Sequence, residues 1–154
     1  MTYIEITRKY SRVWFEGQAT PGLVSYTLMI DGFCKYAKID DAFELLNVMT
    51  GNQCLLDTYC YNTLIKVLCN VQQIDKACAL KLEMAQKGCP PNNVMYTTLI
   101  RGLCEEGLVD EAHQMFDEMT RNGLFPTVMT YNMLIDSLCN AGEVEKAYIL
   151  FYKM

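Results

Sequence analysis

Cysteine is the residue type here best equipped for chemistry: the chain has eight, beside a single histidine, His113. Thiols that hold zinc, form disulfides or cycle redox states need short fixed spacings such as C-x-x-C, and no such pair occurs. Cys34, Cys69, Cys104 and Cys139 instead stand 35 residues apart. A fixed phase marks one structural position repeated, so small buried apolar side chains in a reducing compartment are the expected use, with no metal. His113 lies near Glu111 and Asp117, an ordinary surface or packing setting. The H-x-E and P-C-x-x-C pieces of a zinc deaminase and any glycine-rich phosphate loop are absent. The sequence is therefore not read as an enzyme, and no cofactor is expected.

The 154 residues are 51% hydrophobic and 20% charged, a composition that argues against disorder. Every apolar run is broken well before the roughly 20 residues a membrane span needs, so no membrane is expected as a partner. Residues 1–22 show neither a secretory signal nor a visible transit peptide. The chain stops at Met154 in mid-helix pattern, which reads as a fragment or a truncated gene product.

The elements that would position any site follow from the same 35-residue phase. Tyr26, Tyr61, Tyr96 and Tyr131 form one column, Ile30, Ile65, Ile100 and Ile135 a second. Ala42, Ala77, Ala112 and Ala147 form a third, Met49, Met84, Met119 and Met154 a fourth, and the acids Asp40, Asp75, Asp110 and Glu145 a fifth. Tyr26, Met29, Ile30 and Phe33 fall on one helical stripe, and Ile39, Ala42, Leu45, Leu46 and Met49 on another. Each unit is thus predicted to be two antiparallel helices, with the phased acid as N-cap of the second, glycine in the link at Gly107 and Gly142, and Pro91 and Pro126 stopping the second helices. The expected fold is all-α, an α-solenoid of stacked antiparallel helix-turn-helix repeats in a right-handed superhelix. Its units are 23–57, 58–92, 93–127 and a truncated 128–154, with 1–22 the degenerate end of a preceding one. The alanine column marks close contacts between helices.

The run Tyr61-Asn62-Thr63-Leu64-Ile65, then Leu68-Cys69, Asp75-Lys76-Ala77, Met84 and Gly88 to Pro91, resembles the pentatricopeptide-repeat consensus. It recurs as Tyr96-Thr97-Thr98-Leu99-Ile100 and Tyr131-Asn132-Met133-Leu134-Ile135, and the resemblance covers residues 23–154. The tetratricopeptide repeat fits less well, since it has 34 residues and a Trp signature, whereas the one Trp here is Trp14. The resemblance implies the subclass built wholly from 35-residue units. Its members bind single-stranded RNA in plant mitochondria and chloroplasts, acting in RNA processing, stabilisation or translation.

Opposite the core stripe of each first helix lie the residues two before and one, five and nine after the phased tyrosine. They are Val24, Thr27, Asp31 and Lys35; Tyr59, Asn62, Lys66 and Asn70; Val94, Thr97, Arg101 and Glu105; and Met129, Asn132, Asp136 and Asn140. An apolar or aromatic group beside a short polar one suits an unstacked base, which needs a flat contact and hydrogen bonds on its edge. In the family the fifth and last residues of a unit read one base, and the second wedges between bases. Thr27 with Asp57 then resembles a guanine reader and Asn62 with Asn92 a pyrimidine reader. Thr97 with Thr127 leans towards a purine, and Asn132 suggests a pyrimidine. Val24, Tyr59, Val94 and Met129 would stack, and Lys35, Lys66 and Arg101 would meet phosphates.

Other readings stand beside these. Asp57, Asn92 and Thr127 precede first helices and could serve only as N-caps. Thr27 and Asn62 could be making local bonds, the stacking residues could contact the adjacent unit, and the three cations could be ordinary surface charge. A net charge of −5 is unlike most RNA binders. The predicted face is nonetheless neutral, with Lys35, Lys66 and Arg101 set against Asp31, Glu105 and Asp136, so affinity should depend less on salt than usual. Acids such as Asp110, Glu111, Asp117 and Glu118 are expected to face away. The alternatives are a protein-interaction scaffold, with protein partners or further repeats, and an inactive truncated fragment.

Overall fold

A computed structural model describes residues 23–36, 38–51 and 56–154, all of whose regular structure is helical. The segment 1–22, Ala37 and the side chain of Met49 lie outside the described residues. The helices are α1 (Leu23–Lys35), α2 (Ile39–Gly51), α3 (Thr58–Asn70), α4 (Ile74–Gln86), α5 (Asn93–Glu105), α6 (Val109–Arg121), α7 (Val128–Asn140) and α8 (Val144–Lys153). The chain divides between Leu64 and Ile65, within α3, into two compact units.

In the first unit α1 packs on α2. Tyr26, Met29, Ile30 and Phe33 meet Ile39, Ala42, Leu45 and Leu46 in the core of this unit, which also buries Leu56, Cys60, Tyr61 and Leu64. In the second unit α5 packs on α6 and α7 on α8, while α5 lies beside α7, α4 beside α5 and α6 beside α7. Within this unit neighbouring hairpins thereby cover one another, as stacking of helix pairs demands, because one pair cannot bury both faces. Tyr96, Leu99, Ile100, Ala112 and Met119 are fully buried. The alanines at 42, 77 and 112 have no exposed surface, so each is a point of close helix contact.

Helix ends differ from expectation in two ways. The phased acids are not N-caps: the helices start one residue earlier, at Ile39, Ile74, Val109 and Val144, so each acid is the second helical residue. Gln73, Leu108 and Glu143 occupy the cap positions of the last three without a capping side-chain bond. The acids act instead through the positive end of the helix dipole. Nor do Pro91 and Pro126 end the second helices. α4 and α6 stop at Gln86 and Arg121, where Gly88 and Gly123 take positive φ.

The link between paired helices repeats one geometry. At Gly107 (φ 74°) the amide donates to Cys104 O and the next amide, Leu108, to Leu103 O at 2.9 Å. Gln72 makes the same two bonds, to Cys69 O and through Gln73 to Leu68 O, at φ 60°. A side chain is therefore held in the left-handed region where the two later repeats use glycine.

The cysteine column is graded rather than uniformly buried. Cys69 is buried, Cys34 and Cys104 are half-buried and Cys139 is exposed; all are free thiols. Gly102 explains the tight end of the series. A Cβ there would lie 3.1 Å from both Cβ and Sγ of Cys69 and 2.7 Å from Ile74 Cδ1, so only glycine lets α5 approach so closely.

Candidate nucleic-acid interface

Four first helices present the same exposed shoulder. Val24, Tyr59, Val94 and Met129 are 73%, 60%, 60% and 56% exposed. That exposure leaves surface for a base to stack on, although Met129 also meets Arg101 of the preceding repeat. Leaving four bulky apolar side chains in water at one repeated position costs hydrophobic free energy that a stacked base would recover.

Asp57, Asn92 and Thr127, the last residues of their units, each make the capping bond considered for them. Asp57 Oδ1 accepts from Cys60 N at 2.9 Å, Asn92 Oδ1 from Met95 N at 3.0 Å, and Thr127 Oγ1 from Thr130 N at 3.3 Å. Asn92 and Thr127 have the extended backbone that an N-cap requires (ψ 174° and 165°). Thr27 is half-buried and makes the local bond considered for it, donating from Oγ1 to Leu23 O at 2.8 Å. Asn62 and Thr97 are also half-buried, and Asn132 is exposed.

Two residues that sequence reading passed over tie the pairs together. Cys60 Sγ lies 2.9 Å from Thr27 Oγ1, while the same residue's amide binds Asp57. Thr130 Oγ1 lies 3.4 Å from Thr97 Oγ1 and 3.1 Å from Thr127 Oγ1. Both bridging side chains are fully buried. Burial, ahead of any hydrogen bond or charge, pushes the Cys60 thiol up to about 11, so it carries its proton. The phase Ser25, Cys60, Met95, Thr130 has no common residue type. Only the position, midway between fifth and last residues of adjoining units, could have drawn attention to it.

The three cations are all exposed but not equivalent. Lys35 pairs with Asp31 at 2.7 Å along α1, an exposed i,i+4 pair worth a few tenths of a kcal/mol, ~0.3–0.5, and easily exchanged for another anion. Arg101 reaches Met129 Sδ at 3.9 Å and, with Glu105, Asp136 and Asn140, lines a groove of about 610 Å³ between α5 and α7. Lys66 is exposed on α3. His113 is half-buried, 3.3 Å from Asp117 and beside the Phe116 ring. Among the described residues no group of three or more His, Cys, Asp or Glu could hold a metal ion, and no helix is long and apolar enough to cross a membrane.

One of the acids expected to face away does not stand free. Glu118 takes both oxygens to Lys81 Nζ, at 2.7 and 2.6 Å, and accepts from Tyr96 Oη at 2.9 Å. Lys81 is itself buried, 5.7 Å from the Tyr96 ring centre, and Asn122 donates to Tyr96 Oη. The sequence held a signal: position 81 breaks a phase that reads Leu46, Phe116 and Phe151 elsewhere.

A model of the PPR repeat family matches residues 21–70, 56–105 and 91–140, and a model of the PPR repeat matches 129–154. The chain belongs to the PPR repeat family. Solved PPR structures share its fold. The pentatricopeptide repeat protein PPR10 from maize is 26% identical, with a TM-score of 0.84 over 99% of this chain and 22% of that one. The same protein in complex with an 18-nt psaJ RNA element is 27% identical over 97% of this chain and 22% of that one, with a TM-score of 0.76. The PPR domain of Arabidopsis thaliana protein-only RNase P 1, in complex with tRNA, is 15% identical over 97% of this chain and 79% of that one, with a TM-score of 0.83. At that identity it speaks for the fold alone. This PPR chain thus spans about a fifth of the maize protein, 22%. No curated protein matches it in sequence.

Proposed function

We propose that this chain binds single-stranded RNA sequence-selectively, one base per repeat, and serves RNA processing, stabilisation or translation in a mitochondrion or chloroplast. The observation that carries the reading is the repetition, in PPR units, of an exposed apolar residue on the first helix and a polar last residue that caps the next helix. The units are taken as 23–57, 58–92, 93–127 and 128–154, with 1–22 ending a preceding one. Thr27 with Asp57 selects guanine, Asn62 with Asn92 a pyrimidine, and Thr97 with Thr127 a purine. Asn132 contributes to a pyrimidine site.

Val24, Tyr59, Val94 and Met129 supply the stacking surface, with Lys35, Lys66 and Arg101 set for phosphate contact. Binding rather than catalysis is the activity, and the RNA-bound state of the maize relative supports it. Stacking is worth roughly 1–3 kcal/mol per base before ordering costs, so so short an array binds weakly by itself.

The test is a low-salt titration with short RNAs that vary each of four successive bases, for the parent chain and Thr27→Asn. The expected result is binding whose first-position preference moves from guanine to pyrimidine in the variant. A folded chain that binds no RNA, or a variant with unchanged preference, would sink the proposal.

A further inference from the structure

A threonine hydroxyl can offer a base either its hydrogen or a lone pair, and its buried neighbours decide which. At Thr27 the single hydroxyl hydrogen is committed to Leu23 O, 2.8 Å away. The contact of 2.9 Å to Cys60 Sγ must then take its hydrogen from the thiol. Cys60 is fully buried and its amide simultaneously holds Asp57 Oδ1 at 2.9 Å. Leu23 O and the Cys60 thiol thus fix the Thr27 hydroxyl from two sides, and the Cys60 amide fixes Asp57. Thr27 is left with one lone pair and Asp57, a carboxylate, has only acceptors.

We propose that Cys60 is a positioning residue that locks the Thr27–Asp57 pair into an acceptor-only state and so makes the first site selective for guanine over adenine. The inference rests on the RNA-binding reading above. Guanine presents two neighbouring N–H donors on its Watson–Crick edge, N1 and N2, where adenine presents the single amino group at N6. An acceptor-only pair satisfies the first fully and leaves the second facing a lone pair at its own N1. The proton on the thiol is secure at neutral pH, because burial raises its pKa to about 11.

The third repeat shows what happens without the lock. Thr130 occupies the place of Cys60 and lies 3.4 Å from Thr97 Oγ1 and 3.1 Å from Thr127 Oγ1. It has one hydrogen for two oxygens and can send it either way. Thr97 can then be left as donor or acceptor, and this site accepts either purine.

The experiment compares two RNAs that differ only in G or A at the first position, measured by fluorescence anisotropy against the parent, Cys60→Ala and Cys60→Ser. Cys60→Ala removes the thiol that holds the hydroxyl turned towards Leu23 O, freeing Thr27 to rotate and offer its hydrogen to the base, but keeps the amide on Asp57. It should lower the G-to-A affinity ratio about fivefold, the effect of one hydrogen bond, while the circular dichroism and the ratio at the second base stay as in the parent. Cys60→Ser returns a donor and should restore the ratio. A parent that discriminates beside an equally discriminating Cys60→Ala, or a Cys60→Ser that restores nothing, overturns the positioning role alone. A parent that binds neither RNA overturns the RNA reading and this inference with it.

Discussion

Lys81 occupies a slot that is apolar in the other repeats, and its removal should be far less damaging than removal of its partner. The lysine side chain is 8% exposed and its ammonium meets both oxygens of Glu118. The equivalent Phe116 lies against the Tyr131 ring, 5.1 Å between centres, just as Lys81 lies over Tyr96. Replacing Glu118 with glutamine leaves the ammonium buried beside a ring and a neutral amide. A fully buried pair broken in this way costs about 3–5 kcal/mol. The Glu118 side chain is 36% exposed, so water can reach the vacated place, and about 2 kcal/mol is the better figure.

Lys81→Leu removes the charge that needed Glu118 and installs the residue found at Leu46. Glu118 keeps Tyr96 Oη and solvent, so the change should stay within about 1 kcal/mol of the parent. The double variant should return close to the parent, giving a coupling of about 2 kcal/mol. Thermal unfolding followed by circular dichroism reads this as a fall in Tm of roughly 4–8 °C for Glu118→Gln alone. Equal destabilisation by Lys81→Leu and Glu118→Gln would refute the reasoning, because the pair would then be a net source of stability rather than a charge and its remedy.

The same pair sets a pH dependence. Burial pushes the Glu118 carboxyl up, but hydrogen bonds from Lys81 and Tyr96 and the charges of Lys81 and Arg121 outweigh it and the pKa is lowered. A lowered pKa contributes stability above the ordinary Glu value, about 4.3, that is lost as pH falls through the lower folded value; acid unfolding of Glu118→Gln should therefore be shallower than that of the parent. Gln72→Gly should raise stability by about 0.5–1 kcal/mol, since relief of a left-handed side chain exceeds the extra entropy of the unfolded glycine, and urea unfolding measures it. Gly102→Ala should lower stability by about 1 kcal/mol in the same assay, the crowding of Cys69 outweighing a gain in helix propensity. Asn92→Ala should cost about 1 kcal/mol through loss of the cap, whereas Asn92→Asp should keep the cap and the stability while changing the second-base preference in the RNA titration.

The repeat was legible because its columns are packing positions. Ala42, Ala77 and Ala112 tolerate no larger side chain at full burial, and Tyr26, Tyr61 and Tyr96 are all buried, so the residue type repeats with the phase. Helix ends were less legible. An acid at the second helical residue and an acid at the cap both favour the same dipole, and only the backbone distinguishes them: at Ile39 and its equivalents an apolar residue has already entered the helix. Lys81 and Glu118 stand 37 residues apart, two more than the repeat, and only the ion pair itself shows that these positions on α4 and α6 meet. Cys60 and Thr130 were illegible for a different reason. Their role is to give or withhold a hydrogen, and a thiol, a thioether and a hydroxyl at one phase look like an unconstrained position.

Capping and base reading therefore need not compete for the last residue of a unit. The cap engages one atom: Oδ1 of Asp57, Oδ1 of Asn92, Oγ1 of Thr127. A carboxylate or amide has a second polar end, and fixing the first fixes the direction of the second. Entropy lost on folding is then not lost again on binding, so under the proposed function a chain with a net charge of −5 would recognise an anionic strand through oriented hydrogen bonds more than through its field. Thr127 is the exception that fits the pattern. Its one oxygen serves both the cap and Thr130, so it has no second polar end to orient, and under the proposed function Thr97 would carry the larger share of that pair's purine preference.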